Sequence, residues 1–225
     1  MPELPELQII INQLKKELQY AYIDGVTLRD LALGEDISLV RGQKIIEIVR
    51  RGKTIYFQLS RDAFTINLAK HGVLMLSQET PKIANTRAIF QTTSGNLYLV
   101  DKTRTSGVQY IDKDETWLPT IGVDPLTKMF NFKMLLRNLK SSSENIQEFL
   151  MKEDVVSGIG RRYARSILHR SRLEPGVAAN RIPKTKAKVL FWSIKNILRE
   201  AIASRDPGFN PVDAEFDDEP VFPTR

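Results

Sequence analysis

The sequence predicts an α+β protein with two domains: an N-terminal helix with an antiparallel β-sandwich, followed by an all-α domain. Apolar residues first recur at helical spacing, and they then fall into short runs that are separated by turn signals. After a proline-bounded stretch at 119–125, helical spacing returns. The length of 225 residues fits one large domain or two small ones.

The elements follow from these patterns in chain order. The first helix is predicted over residues 3–19, with prolines in its first turn, where proline is tolerated. Seven short strands and then four helical segments follow, and the chain ends in an acidic, proline-rich tail. The predicted strands are Ile45–Val49, Thr54–Leu59, Phe64–Leu68, Val73–Leu76, Arg87–Gln91, Leu97–Val100 and Val108–Ile111, and the later helices lie near 126–139, 144–152, 160–172 and 184–204. We therefore expect domains at 1–118 and 126–204, a linker at 119–125 and a tail at 205–225.

The composition excludes several kinds of chemistry. The chain has no cysteine and two histidines, so disulfides, a thiol nucleophile and thiolate metal sites are excluded, and we expect no metal and no cofactor. Catalysis would have to use carboxylates, lysines, hydroxyls or the terminal amine. No apolar run reaches the ~18 residues of a membrane span, and the N-terminus lacks a secretory pattern, so we expect a cytoplasmic protein.

Positive charge is concentrated in one stretch of the all-α domain. The formal net charge of the chain is +6, and residues 158–200 contain eleven Lys or Arg against two Glu. A basic strip of this kind is typical of proteins that bind phosphate backbones. A solvated helix face would give the same composition, so charge alone leaves both interpretations open.

The N-terminus carries the second chemical signal. If Met1 is removed, Pro2 presents a secondary amine that can attack an aldehyde or hemiacetal carbon and form an iminium. Glu3 and Glu6 lie about one helical turn apart, which would place both carboxylates beside that amine. Proline and glutamate are also ordinary residues at the start of a helix, so the pattern by itself does not establish a catalytic site.

Three motifs together resemble the formamidopyrimidine-DNA glycosylase/endonuclease VIII (Fpg/Nei) family. Members begin P-E-L-P-E, carry a hairpin lysine in an R-R-G-K context and contain G-[VI]-G-N-x-Y-A in a helix–two-turn–helix. The corresponding segments here are Pro2–Leu7, Arg50–Lys53 and Gly158–Ala164. The order and spacing match over most of residues 1–204, so the resemblance implies that the all-α domain is a helix–two-turn–helix DNA-binding domain.

The resemblance implies a DNA repair enzyme that excises a damaged base and then cleaves the strand by β,δ-elimination. Pro2 would attack C1′ of the damaged nucleotide, Glu3 would protonate the sugar ring oxygen and assist elimination, and Glu6 would support the site. Lys53 would bind the phosphate beside the lesion. The partner would be damaged, abasic or single-stranded DNA, and the enzyme would be a monomer associated with the nucleoid.

Further DNA contacts would come from three segments. The glycines of the G-x-G turn would let backbone N–H groups approach a phosphate oxygen closely. The motif tyrosine would lie either in the core or against a phosphate. The residues expected to contact DNA are Lys70, His71, Arg104, Gly158, Gly160, Arg161, Arg162 and Tyr163.

Several positions depart from the family pattern. The four-cysteine zinc finger is absent, and Arg161 replaces the asparagine after the G-x-G turn. Lys70 replaces an intercalating methionine, and the D-P-R-R-F-G loop lacks its phenylalanine, although Arg104 is retained. Because a lysine cannot stack as an apolar wedge does, we expect a preference for single-stranded, bubble or bulky-lesion DNA. The alternative is a catalytically weak protein that binds damaged DNA or abasic sites.

Overall fold

The computed structural model describes residues 1–79, 82–115 and 121–204. Within them the chain forms two compact units, one containing residues 1–2 and 6–115 and the other containing residues 3–5 and 121–204. The boundary between the units therefore passes through the first residues of the chain. The expected tail at 205–225 and the first two residues of the expected linker lie outside the described residues.

The first helix, α1, runs from Leu4 to Leu18. Its apolar side chains repeat every three or four residues, and the leucines and isoleucines of that stripe are buried. Lys15 and Lys16 lie in its last turn, where positive charge interacts favourably with the helix dipole. Both ends of the helix lie within one residue of the predicted bounds.

Two four-stranded antiparallel sheets follow α1, in the orders β1-β6-β7-β5 and β2-β3-β4-β8. The seven predicted strands are present with bounds within two residues of those expected. The first strand, β1, was not predicted, because Asp24 and Gly25 interrupt its apolar pattern and both residue types are uncommon in strands. The strands are β1 (Ile23–Leu28), β2 (Ile45–Arg51), β3 (Thr54–Leu59), β4 (Ala63–Asn67), β5 (Val73–Ser77), β6 (Thr86–Thr92), β7 (Gly95–Val100) and β8 (Gly107–Ile111).

Aromatic rings connect the two sheets through the core of this unit. Phe57 on β3 stacks on Phe64 of β4 with ring centroids 4.4 Å apart, and Phe64 stacks on Phe90 of β6 at 5.0 Å. All three side chains are buried. Each sheet therefore turns one apolar face towards the other, which confirms the predicted β-sandwich.

The second unit is helical and has its own core. The predicted helix near 126–139 begins only at Phe132, because the Asn131 side chain accepts a hydrogen bond from the Met134 N–H and caps the helix there. The other three helices have bounds within two residues of those predicted. The helices are α2 (Phe132–Lys140), α3 (Ile146–Met151), α4 (Arg161–Ser171) and α5 (Lys184–Ala203).

The helical unit closes around large buried side chains, among which Phe130, Phe149 and Tyr163 are the bulkiest. Leu4, from the first turn of α1, belongs to this core. The predicted fold class is confirmed. Within the described residues, no helix combines the length and the apolar character needed to cross a membrane.

Candidate active site

The carboxylate of Glu3 accepts backbone hydrogen bonds from the N-terminus of α4. The Gly160 N–H donates to Oε2 at 2.7 Å, the Arg162 N–H to Oε1 at 2.9 Å and the Tyr163 N–H to Oε2 at 3.2 Å. These amides are among those that an α-helix leaves without an internal partner at its start. Glu3 is buried and therefore acts as the N-terminal cap of α4, although it is 157 residues away from Gly160 in the chain.

The close approach of Glu3 explains the glycine at position 160. Gly160 has φ −113° and ψ −168°, an extended conformation that any residue can adopt. A Cβ atom at this position would lie 2.5 Å from Glu3 Oε1 and 2.8 Å from Glu3 Cγ. Gly158 is needed for a different reason, because its φ of +85° lies in the left-handed region that favours glycine.

The two glycine amides have partners within the protein. Gly158 N–H donates to Glu153 Oε2 at 2.9 Å, and Gly160 N–H donates to Glu3. Carboxylates of the same chain accept hydrogen bonds from both amides, and the expectation that these amides bind a DNA phosphate stays a prediction. Sequence reasoning missed Glu153, which carried no motif signal.

The basic side chains of the G-x-G segment differ in their exposure. Arg161, the first residue of α4, is exposed, and Arg162 is half-buried, with its guanidinium 5.1 Å from the centroid of the Tyr163 ring. The Tyr163 side chain is fully buried in the core of the helical unit. Of the two functions considered for Tyr163, core packing and phosphate contact, the structure therefore places it in packing.

The other predicted catalytic residues lie in the sandwich unit. Pro2 and Glu6 are buried at the start of α1. Lys53 is half-buried in the two-residue loop that connects β2 to β3, where Arg51 pairs with Thr54. Gly52 has φ +59°, and its carbonyl accepts a hydrogen bond from the buried Arg50 side chain at 3.3 Å. The hairpin tip that carries Lys53 is thus fixed by its neighbours.

One end of the sheet β2-β3-β4-β8 brings the predicted DNA-contacting residues of this unit together. Asn67 at the end of β4 pairs with Gly107 at the start of β8, and its side chain lies 3.5 Å from Thr54, next to Lys53. The turn with the exposed Lys70 and His71 follows β4, and the loop with the exposed Arg104 precedes β8. The predicted motif residues of three separate sequence segments therefore lie at the same end of the sheet.

A buried carboxylate holds the Arg104 loop in shape. Asp101 accepts hydrogen bonds from the backbone N–H groups of Thr103, Thr105 and Ser106 at 2.8, 2.8 and 2.7 Å. Burial by itself would raise the pKa of Asp101, but the Ser106 N–H and the Thr103 hydroxyl outweigh it and hold the pKa well below its usual range. An Asp followed by Thr and Ser is a known turn signal, and it could have identified this anchor from sequence.

Arg87 on β6 extends this network. Its Nε donates to Asp30 Oδ2 at 2.8 Å, and its guanidinium donates to the carbonyl and the hydroxyl of Ser106. Arg104 Nε lies 3.5 Å from the same Asp30 oxygen. The Arg87 hydrogen bond lowers the pKa of the Asp30 carboxyl. The contact between Arg104 Nε and Asp30 therefore holds Arg104 at this end of the sheet, while 70% of its side-chain surface stays exposed.

Comparison with known proteins places these features in a family. Residues 1–108 match the model of the formamidopyrimidine-DNA glycosylase N-terminal domain, and residues 121–210 match the model of the formamidopyrimidine-DNA glycosylase H2TH domain. The chain is 31% identical over 212 residues to a formamidopyrimidine-DNA glycosylase of Wolbachia sp. subsp. Brugia malayi, covering 90% of this chain and 78% of that protein. The chain belongs to the formamidopyrimidine-DNA glycosylase family.

Two solved structures of the family are similar in fold. A complex of wild-type Lactococcus lactis Fpg with DNA containing N7-benzyl-Fapy-dG has a TM-score of 0.83 and 25% identity, covering 90% of this chain and 79% of that chain. The MutM (Fpg) protein of Thermus thermophilus has a TM-score of 0.81 and 27% identity, covering 90% of this chain and 76% of that chain. Arg161 and Lys70, which the sequence analysis identified as departures from the family pattern, are both exposed.

Proposed function

We propose that this protein is a DNA repair glycosylase and AP lyase that uses the Pro2 amine, freed by removal of Met1, as its nucleophile. One observation carries the proposal: the carboxylate of Glu3, the residue next to Pro2, is fixed by three backbone N–H donors. A helix can be capped by a residue of its own segment, so a cap from such a distant part of the chain indicates a function beyond capping. The relatives' names and their complexes with lesion-containing DNA support the same substrate class.

The reaction follows from the chemistry of the amine. The neutral Pro2 nitrogen attacks C1′ of the damaged nucleotide, the bond to the base breaks, and the base departs with a proton. The ring oxygen becomes a hydroxyl, and an iminium remains between Pro2 and C1′. The positive iminium acidifies the C2′ protons, so loss of one of them expels the 3′-phosphate, and a second elimination expels the 5′-phosphate.

The hydrogen bonds to Glu3 refine the function that the resemblance implied for it. Three N–H donors and the positive end of the α4 dipole stabilise the ionised carboxylate. We therefore assign to Glu3 the stabilisation of the iminium charge and acceptance of the C2′ proton. Proton donation to the ring oxygen would then come from another group, for which Glu6 is the nearest carboxylic acid in the sequence.

Basic side chains would hold the DNA around this reaction. Reaching C1′ requires that the nucleotide leave the stack, at a cost of a few kcal/mol. One end of the sheet carries Lys53, Lys70, His71 and Arg104. This placement suits contacts with the phosphate beside the lesion and with the gap that the flipped nucleotide leaves in the stack. Arg161 at the start of α4 adds an exposed cation.

The exposed lysine at position 70 supports a preference for open DNA. A lysine carries charge where an apolar wedge would stack, so the enzyme gains little from filling a gap in an intact duplex. We expect faster cleavage of an abasic site in single-stranded or bubble DNA than removal of 8-oxoguanine from a duplex. The opposite order of rates, in single-turnover assays at one salt concentration, would contradict this preference.

Borohydride trapping on abasic DNA tests the mechanism. We expect the parent to form a covalent protein–DNA product, Pro2→Gly to lose it, and Glu3→Gln to lose strand cleavage. Lys53→Ala should retain trapping at saturating protein while binding more weakly, which makes it the control for a loss of affinity. Mass spectrometry of the trapped product should show a chain that begins at Pro2.

The alternative, a binding protein without catalysis, makes a different prediction. It is favoured by the replaced wedge residues. Such a protein would bind abasic DNA but give no trapped product. If Pro2→Gly cleaves abasic DNA as fast as the parent, the proposed nucleophile is wrong.

A further inference from the structure

Two exposed tyrosines follow the end of α1, and the rings of both lie near the same lysine side chain. Tyr20 is 62% exposed and Tyr22 is 49% exposed. Lys44 Nζ lies 5.4 Å from the centroid of the Tyr20 ring and 5.8 Å from that of the Tyr22 ring, so both rings interact with one cation. We call Tyr20, Tyr22 and Lys44 the tyrosine platform.

The backbone fixes this platform in place. Tyr20 N–H donates to the Ile45 carbonyl at 2.8 Å, and Tyr22 pairs with Lys44 in an antiparallel bridge. Tyr22 also donates its N–H to the Thr93 hydroxyl at 3.1 Å, and its carbonyl accepts the Thr93 N–H at 3.0 Å. The backbone of each tyrosine is therefore hydrogen-bonded to a neighbouring segment of the same unit, which fixes the position from which its ring projects.

Tyr20 has a backbone conformation that is unfavourable for its residue type. Its φ is +74°, two residues after the end of α1, where a helix commonly continues into a glycine. A bulky side chain at positive φ is uncommon and costs free energy. Glycine would adopt this conformation at a lower cost in free energy, so the tyrosine at this position indicates a function other than stabilising the fold.

We propose that the tyrosine platform binds undamaged, single-stranded DNA, with bases stacking on the two rings and Lys44 contacting a phosphate. Aromatic rings beside a cation suit a chain of bases that alternate with phosphates, and such stacking tolerates any sequence. The nearby Lys16 is paired with Glu17 at 3.9 Å, whereas Lys44 lies over the rings. The 15 residues of α1 span about 22 Å, so the platform lies well away from Pro2.

The function of this surface would be to hold the strand beside the lesion rather than the lesion itself. The inference rests on the proposed function only in that DNA is the ligand. It predicts that binding of undamaged DNA and reaction at an abasic site can be separated by substitution. The platform would add affinity for open DNA without a contribution from the motif residues.

Fluorescence anisotropy with a labelled oligo-dT of about 20 nucleotides tests the proposal. We expect Tyr20→Gly and Tyr22→Ala each to raise the Kd about tenfold, since stacking of one base on an aromatic ring is worth roughly that factor. Tyr20→Gly should leave the melting temperature unchanged or raise it, because glycine relieves the positive φ. Tyr20→Phe keeps the ring and should bind like the parent.

Two further variants serve as matched controls. Lys16→Gln removes a positive charge from the same region without touching the rings, and Trp192→Ala removes an exposed aromatic from the helical unit. Both should retain oligo-dT binding, whereas Lys44→Gln should weaken it. If Tyr20→Gly and Tyr22→Ala bind oligo-dT as tightly as the parent, or if the rings bind a proline-rich peptide and not the oligonucleotide, the proposal is overturned.

The test is independent of the lyase reaction. Oligo-dT has no abasic carbon, so binding does not require Pro2. A parent that binds oligo-dT through the platform but gives no borohydride product would overturn the proposed mechanism and leave the platform standing. A parent that is trapped on abasic DNA, with unchanged oligo-dT binding in the platform variants, would overturn the platform alone.

Discussion

Replacement of Gly160 by alanine perturbs the contact between Glu3 and α4 without changing a charge. Position 160 has an extended backbone, so alanine costs nothing in conformation. Its Cβ would lie 2.5 Å from Glu3 Oε1, which is closer than two such atoms can approach. We expect the Glu3 side chain to leave its position, because the three atoms nearest to the added Cβ all belong to that side chain.

The size of the effect follows from the hydrogen bonds that are lost. Glu3 accepts three bonds of 2.7, 2.9 and 3.2 Å. A hydrogen bond to a charged group contributes about 1.5–3 kcal/mol, and loss of a helix cap costs about 0.5–2 kcal/mol. Because water replaces part of what is lost, we expect a destabilisation of about 2–3 kcal/mol. For a chain of this length, that lowers the melting temperature by roughly 4–12 °C.

A double-mutant cycle provides the assay. Thermal melting and single-turnover cleavage of abasic DNA are measured for Gly160→Ala, Glu3→Gln and the combination. If alanine acts by displacing Glu3, the double variant should be little worse than the worse single variant, because the same contact is removed twice. Full additivity in both measurements, or a Gly160→Ala protein with parental melting and activity, would refute the reasoning.

Two buried ionisable groups give predictions about pH. Asp101→Asn should destabilise the sandwich unit by about 2–3 kcal/mol at pH 7, since the amide cannot accept every hydrogen bond of the carboxylate. The lowered pKa of Asp101 means that its contribution is fully present above about pH 4 and is lost as the pH falls further, so the variant should melt with a flatter acid dependence than the parent below about pH 4. Lys195 is buried against Phe130 and Phe191, and burial followed by the nearby Arg199 charge lowers its pKa. The destabilising contribution of the Lys195 charge should therefore fall as the pH approaches about 10.4. Lys195→Met should remove this contribution and raise the melting temperature at pH 7 by about 2–4 °C; a lower melting temperature would show that the cation–π contacts outweigh burial.

The elements that sequence predicted well are those whose pattern reports their own burial. The stripe of α1 and the seven short apolar runs between turn signals are local signals, and they led to bounds within two residues. Asp24 and Gly25 concealed β1, because its position is set by pairing with β6 and not by its own residues. The start of α2 depends on the Asn131 cap, and sequence reasoning placed that start six residues too early.

The site shows the same division. The family resemblance selected Glu3 and Gly160 as site residues, but it could not reveal that one binds the other across 157 residues of sequence. The glycine was interpreted as space for a phosphate, whereas the space is filled by a carboxylate from the same chain. Asp101 was overlooked as a site residue because its function is to shape a loop, although its turn signal could have identified it from sequence.

The contact between Glu3 and Gly160 unites two motifs that sequence comparison treats as separate. The second glycine of the G-x-G turn has no Cβ because the space beside it is filled by an acidic side chain that is encoded in a remote part of the gene. In a lineage that lost the acid at position 3, a larger residue could replace the glycine at position 160. In a lineage that keeps the acid, position 160 has to remain glycine. The two positions should therefore change together during evolution, as a single heritable unit.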